Sequence, residues 1–194
     1  MFIELTDHLR CPRDHPEAYL VLLPDVVVGR SVRSGQLGCP VCGATFPVSG
    51  GVAELGVAPP DTGGPSLAPD AAHVLLGLSG PGGYVVLVGN AAGGWRDLAA
   101  SNPGVAMVAV NPAPAMADAA PVLSVVRAPI IPLKARSMRG VLLGGTLGDD
   151  PAWIRDATRV TLPGLRVIGQ GAEPGLSELE VLASADGWWV AARR

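Results

Sequence analysis

Three cysteines and one histidine stand in two tight groups, Cys11-Pro-Arg-Asp-His15 and Cys39-Pro-Val-Cys42, and this spacing constrains the chain more than any other feature. Zn²⁺ in a closed structural site takes four thiolate or imidazole ligands, and two close pairs separated by a longer loop let two turns grip one ion. Cys11, His15, Cys39 and Cys42 are therefore the expected ligands. His8, three residues before Cys11, is the competing nitrogen donor, in a stretch beginning Phe2-Ile3-Glu4-Leu5 that reads as a strand or short turn. His15 is better placed, because it follows Cys11-Pro12 where a metal-binding turn puts its second ligand. A Cys-x-x-Cys pair can also be a redox motif, but that motif opens a helix after a strand, and Cys39 follows the turn-rich Gly35-Gln36-Leu37-Gly38. Three cysteines cannot all pair within one chain, so a disulfide framework is disfavoured and a reducing cytoplasm is expected.

The rest of the composition describes a packed protein. Of 194 residues, 48% are hydrophobic and 16% charged, enough to build a core. No apolar run approaches the roughly 18 residues that suggest a membrane span, and the beginning of the chain lacks the basic start and apolar stretch of a secretory signal. A net charge of −3 exerts no general pull on nucleic acid, so such contact is unsupported unless a local patch provides it. Arg127, Lys134, Arg136 and Arg139 form the one basic cluster without interleaved acids, and a solvated loop is its simpler reading. Usage rich in Arg, Ala, Gly and Pro and poor in Lys suits a high-GC bacterial source.

The stretch 57–70, dense in Pro, Gly, Ser and Asp, reads as a linker between a metal-binding unit (1–56) and a second unit (71–194). In the first unit, Tyr19 to Leu23 and Val26 to Val28 read as strands separated by Pro24-Asp25, and Phe46-Pro47-Val48 follows the second metal turn. Short strands hung on two metal turns describe a zinc ribbon. The order Leu9-Arg10-Cys11-Pro12, Gly38-Cys39-Pro40-Val41-Cys42-Gly43, then Phe46-Pro47-Val48 running into Gly50-Gly51 resembles the small zinc-ribbon proteins that act as activator subunits of methyltransferases. His15 stands where those proteins more often carry cysteine. The resemblance implies a protein partner through the ribbon.

The second unit alternates strand and helix: strands at 84–88, 105–110, 140–143, 165–168, 180–183 and 188–192, with helices at 71–78, 96–100, 113–120 and 152–159. That pattern predicts an α/β fold with a mainly parallel sheet. The glycine turn Gly89 to Gly94, the strand ending at Asn111, Val141-Leu142-Leu143-Gly144-Gly145 and Leu162-Pro163-Gly164-Leu165 resemble the Rossmann-like S-adenosylmethionine-dependent methyltransferases. The resemblance implies a cofactor site at Gly89, Asn90, Ala91, Gly93 and Asn111.

Three positions depart from that family. It often carries acids where Leu87 and Asn111 stand, and Ala91 replaces a glycine, so the ribose hydroxyls lose a charge-assisted acceptor and the turn gains a methyl group. No catalytic residue is identified. Asp149 and Asp150 could act as bases, but before Pro151 they read as a helix cap. His73 and the four tryptophans read as packing residues, with Trp95 also able to cover an adenine. Two functions follow: a zinc-binding, methyltransferase-like protein degenerate in its cofactor site and serving as a binding or partner module, or an active methyltransferase of unidentified substrate. Leu87, Ala91 and Asn111 favour the first.

Overall fold

Tyr84-Val85-Val86-Leu87-Val88 is a run of large apolar side chains with no polar face, which only a strand covered on both sides can use. In the computed structural model, which describes residues 1–59, 63–64 and 66–194, this run is β5 (Tyr84–Val88) and every residue in it is buried. Around it lie β6 (Ala106–Val110), β7 (Leu123–Arg127), β8 (Met138–Leu143) and β9 (Thr161–Gln170), all parallel, in the order β7-β6-β5-β8-β9. Counting β5 as the first strand, this is the 3-2-1-4-5 order of doubly wound nucleotide-binding sheets. The hairpin β10 (Leu179–Ala185) and β11 (Trp188–Arg193) closes that flank antiparallel, with β11 inserted beside β9.

The other flank is made by the amino-terminal residues. β1 (Val21–Val28), β2 (Ser31–Gly38), β3 (Thr45–Ser49) and β4 (Val52–Glu54) form an antiparallel meander, and β4 then pairs parallel with β7. Val52, Ala53 and Glu54 register with Val125, Val126 and Arg127, and an Arg127–Glu54 ion pair of 3.3 Å spans the junction. One sheet of eleven strands thus runs through the described residues. Of the stretch expected to be a linker, residues 60–62 and 65 lie outside the described residues, and α1 (Pro69–Leu76) already begins at its end.

Alternation along β5 divides the core in two. Val85 and Leu87 face α1 and α2 (Trp95–Ser101), meeting Ala72, Leu76, Trp95 and Leu98. Val86 and Val88 face a layer made from α3 (Pro151–Val160) and from the amino-terminal segment. The apolar side chains Trp153, Ile154, Ala157 and Val160 share one face of α3, and Asp150 caps that helix by accepting from the Ala152 N–H at 2.7 Å. The capping role expected of Asp150 is therefore observed.

The expected helix at 113–120 does not form. Pro112, Pro114 and Pro121 bracket a stretch too short to recover a helical nucleus, and only turns are present. The connection from β7 to β8 also lacks a helix. Their place against the sheet is taken by a 3₁₀ helix at Ile3–His8, which no periodicity announced. Met1, Leu5 and Leu9 are completely buried in the same cluster as Val108, Val110, Val126 and Leu133. Backbone contacts fix this cover: Phe2 N–H donates to Ser124 Oγ at 3.0 Å and Arg10 N–H to the Pro132 carbonyl at 2.9 Å.

Two further elements differ from expectation. Pro24-Asp25 does not end a strand; it forms a bulge inside β1, and the chain reverses instead at Gly29, whose φ of +60° suits glycine. β2 and β7 were not foreseen as full strands, because Ser, Gly and Arg interrupt their apolar patterns. No helix of the described residues is long and apolar enough to cross a membrane.

If the amino-terminal segment is core, truncating it carries a core penalty. Leu9→Ala should lower unfolding free energy by about 3 kcal/mol in urea titration. Val57→Ala, at a side chain 88% exposed, should change it by less than about 0.5 kcal/mol.

Candidate metal centre and strand-end cavity

The two metal turns are held by the antiparallel meander. Leu9 bridges to Leu133 and Arg10 to Tyr19, which delivers Cys11 to the edge of the core, while β2 ends at Gly38 and passes directly into Cys39. The second turn is tight: Gly43 N–H donates to the Cys39 carbonyl at 3.0 Å and Cys39 N–H to the Ala44 carbonyl at 2.8 Å. Arg10 is anchored on Asp156 of α3 at 3.3 Å, so the first turn is tied to the sheet cover as well as to the meander.

Cys11, His15, Cys39 and Cys42 converge, with all four donor atoms within 4.8 Å of one another. Cys11 Sγ lies 3.8 Å from Cys42 Sγ, and Cys39 Sγ lies 3.4 Å from His15 Nε2. A tetrahedral ion with metal–sulfur bonds of about 2.3 Å has sulfur–sulfur edges of about 3.8 Å, so the cluster has the dimensions of a filled zinc site. His15 Nδ1 lies 2.7 Å from the Pro16 carbonyl, a contact that requires a proton on Nδ1 and leaves the Nε2 lone pair directed at the cluster. That supporting carbonyl is invisible to motif reading.

The electrostatics also ask for a cation. Burial raises the Cys39 thiol, but the backbone N–H groups of Cys42 and Val41 outweigh it and bring the value down to about 6. Burial, followed by the adjacent Cys39 and Cys42 thiols, pushes Cys11 up to about 11. Three thiols this close cannot all ionise unless a positive charge lies between them.

His8 is elsewhere. Its ring stands edge-on to Tyr84 with centroids 5.1 Å apart, and burial lowers its pKa, followed in effect by Lys134. The donor set resolves in favour of His15.

At the carboxyl ends of β5 and β6 lies a cavity of about 410 Å³, bounded by Gly89, Asn90, Asn111, Pro112, Arg127 and the segment around Pro59. It occupies the point where the strand order reverses, the usual ligand position of an open α/β sheet. Of the five residues expected to meet a cofactor, Gly89, Asn90 and Asn111 line this cavity. Ala91 is buried beside Gly144, where an added Cβ would lie 3.1 Å from the alanine methyl, and Gly93 is exposed.

Asn111 is committed to the backbone. In a left-handed conformation (φ +53°), its Nδ2 donates to the Ala128 carbonyl at 2.7 Å and its Oδ1 accepts the Ala128 N–H at 2.8 Å. The side chain behaves as one rung of a ladder that holds the end of β6 to the residue after β7. Arg127, in the same cavity, pairs with Glu54 and donates to the Pro114 carbonyl.

The other expected basic residues are also engaged. Arg139 donates to the carbonyls of Ser79, Gly80, Pro81 and Gly82, and Lys134 sits 5.6 Å from the Tyr19 ring centroid. Asp149 accepts the Ala172 N–H at 3.1 Å, and His73 meets Asn102 at 3.0 Å. Trp95 is buried beneath Arg96, whose guanidinium lies 4.7 Å from its ring centroid.

The sequence matches no protein-family profile and no curated protein sequence. Among solved structures, two crystal structures of the antibiotic-resistance methyltransferase Kmr are each 16% identical with a TM-score of 0.44. Each alignment covers 66% of this chain, with 94% and 93% of theirs. A sarcosine dimethylglycine methyltransferase candidate from Galdieria sulphuraria is 18% identical with a TM-score of 0.42, covering 57% of this chain and 48% of its own. The doubly wound assignment rests on the strand order above and stands without them.

Elemental analysis of the purified chain should find one zinc per molecule. Cys39→Ser should abolish that stoichiometry and His8→Ala should leave it intact. Chelation should lower the melting temperature by about 10 °C, taking a loss of a few kcal/mol at about 2–4 °C per kcal/mol for a chain of this size.

Proposed function

We propose that this chain is a zinc-stabilised binding or partner module built on a methyltransferase-like fold whose cofactor site has lost its polar contacts. Cys11, His15, Cys39 and Cys42 would hold the zinc. Four protein ligands leave no open coordination position, so the ion serves as a cross-link between the two turns rather than as a Lewis acid. A protein partner reached through the ribbon and a cytoplasmic location accord with three thiols in one metal cluster, and nucleic acid has no patch to recommend it.

Asn111 carries the degenerate reading. A residue that binds ribose hydroxyls at the end of the second strand must offer a free acceptor, and both polar groups of this amide are spent on Ala128. Leu87 adds no charge beside it. The residues present do not fit S-adenosylmethionine at this position, and no transfer step is derived through it.

The active-enzyme reading has one observation in its favour: the cavity at the strand reversal, where Gly89 presents backbone without a side chain. In that reading Gly89, Asn90, Ala91, Gly93 and Asn111 contact the cofactor and the substrate remains unidentified.

Calorimetric titration separates the two. The zinc-loaded chain should give no heat with S-adenosylmethionine up to about 1 mM, a ligand concentration that would reveal binding free energies stronger than about −4 kcal/mol. Micromolar affinity would establish the enzyme reading instead. Asn111→Asp should not create a cofactor site; it should destabilise the fold by about 1–3 kcal/mol, because the carboxylate would face the Ala128 carbonyl without a proton to share.

A further inference from the structure

β1 is the last strand of the sheet on the ribbon side, and its outer edge has no neighbour among the described residues. An edge of this kind is ordinarily short, charged or covered. This one reads Val-Leu-Leu-Pro-Asp-Val-Val-Val, with a single charge. Val21, Leu23, Val26 and Val28 are 54%, 61%, 48% and 64% exposed.

Register with β2 fixes which face each residue occupies. Leu22 and Val27 lie opposite the buried Leu37 and Val32, on the core side, whereas Val21, Leu23, Val26 and Val28 lie opposite Gly38, Gln36, Ser34 and Ser31 on the outer side. The bulge at Asp25 shifts the alternation by one and thereby puts the apolar residues of both halves on the same face. Without it, the second half would point its valines the other way.

We propose that β1 docks on β1 of a second copy of this chain, edge to edge and antiparallel about a twofold axis. In the register that sets Val21 against Val28 of the partner copy, Leu23 meets Val26 on the outer face and Leu22 meets Val27 on the core face. Pro24 falls opposite Asp25, so the missing N–H sits at the centre, where it costs the ladder one donor while three apolar residues on each side remain to pair. Both strands satisfy the same pairing, which is the condition for a closed, isologous contact. The other parallel-pairing edge of the ribbon, β4, is already occupied by β7.

Area sets the strength. The exposed apolar surface of this strand is roughly 450 Å² per copy, so two copies bury at most about 900 Å², below the standard interface range of about 1,200–2,000 Å². The dimer is therefore weak, with a dissociation constant in the tens to hundreds of micromolar. This deepens the partner-module reading by giving the ribbon surface one occupant, and it does not depend on whether the strand-end cavity takes a ligand.

The test is sedimentation of the zinc-loaded full chain from about 5 μM to 1 mM, with amide spectra recorded along the same dilution series. The expected result is a reversible dimer whose concentration-dependent shifts fall on residues 21–28. Leu23→Lys with Val26→Lys, at exposed positions that leave the zinc content intact, should weaken association more than tenfold. Asp25→Asn should tighten it severalfold by removing the two carboxylates that flank the axis, a gain that misfolding cannot imitate. A monomer at 1 mM, or a dimer whose shifts map to β10 or elsewhere, overturns the proposal. A chain that dimerises through β1 and also binds S-adenosylmethionine refutes the degenerate reading alone; one that stays monomeric and ignores the cofactor refutes this proposal alone.

Discussion

A parallel sheet must be covered on both faces, and this chain meets that requirement with an unusual division of material. On one face α1 and α2 suffice. On the other, α3 supplies one part of the layer and the connections around β7 supply no helix, so Met1, Leu5 and Leu9 close over Val108, Val110 and Val126. The ribbon is thus part of the sheet at β4 and part of its cover at residues 1–9. Everything else in the amino-terminal quarter serves to hold that cover in position.

The metal cluster is the strongest candidate for the clamp. Cys11 lies two residues beyond Leu9, and Cys39 one residue beyond the end of β2, so an ion between them joins the cover to the meander. Arg10 on Asp156 adds a second tie, and Asp156 in turn receives the Ile131 N–H and the Arg159 guanidinium. These charges are only partly exposed and share partners, so their loss would not be confined to one pair. The same chemistry that makes the cluster a good zinc site makes it a poor set of free thiols.

At the opposite, nucleotide-type end the chain keeps geometry and spends its polar groups internally. Asn111 closes onto Ala128, and Arg127 onto Glu54 and Pro114. Both interactions join β6 or β7 to neighbouring loops, the region where crossover helices are missing. Side chains that might have faced a ligand there stabilise a connection that has little else to stabilise it.

Cys11, Cys39 and Cys42 were legible because metal ligation imposes short, fixed spacings, and β5 because burial on both faces leaves an unbroken apolar run. Helix α3 was announced by Asp150-Pro151 and an apolar stripe. The helix expected at 113–120 failed for a reason also written locally, since three prolines bracket it, yet its composition had suggested otherwise. Other features had no local signature: β7 pairing with β4 some seventy residues earlier, Leu9 against Leu133, and the engagement of both ends of the Asn111 amide. Spacing and periodicity record what a residue does with its near neighbours, and they determined the donor set and the strand–helix alternation. Which face each segment covers, and which polar groups remain for a ligand, depend on contacts between distant residues whose free energy is settled only when the chain packs, and the tertiary structure alone decided them.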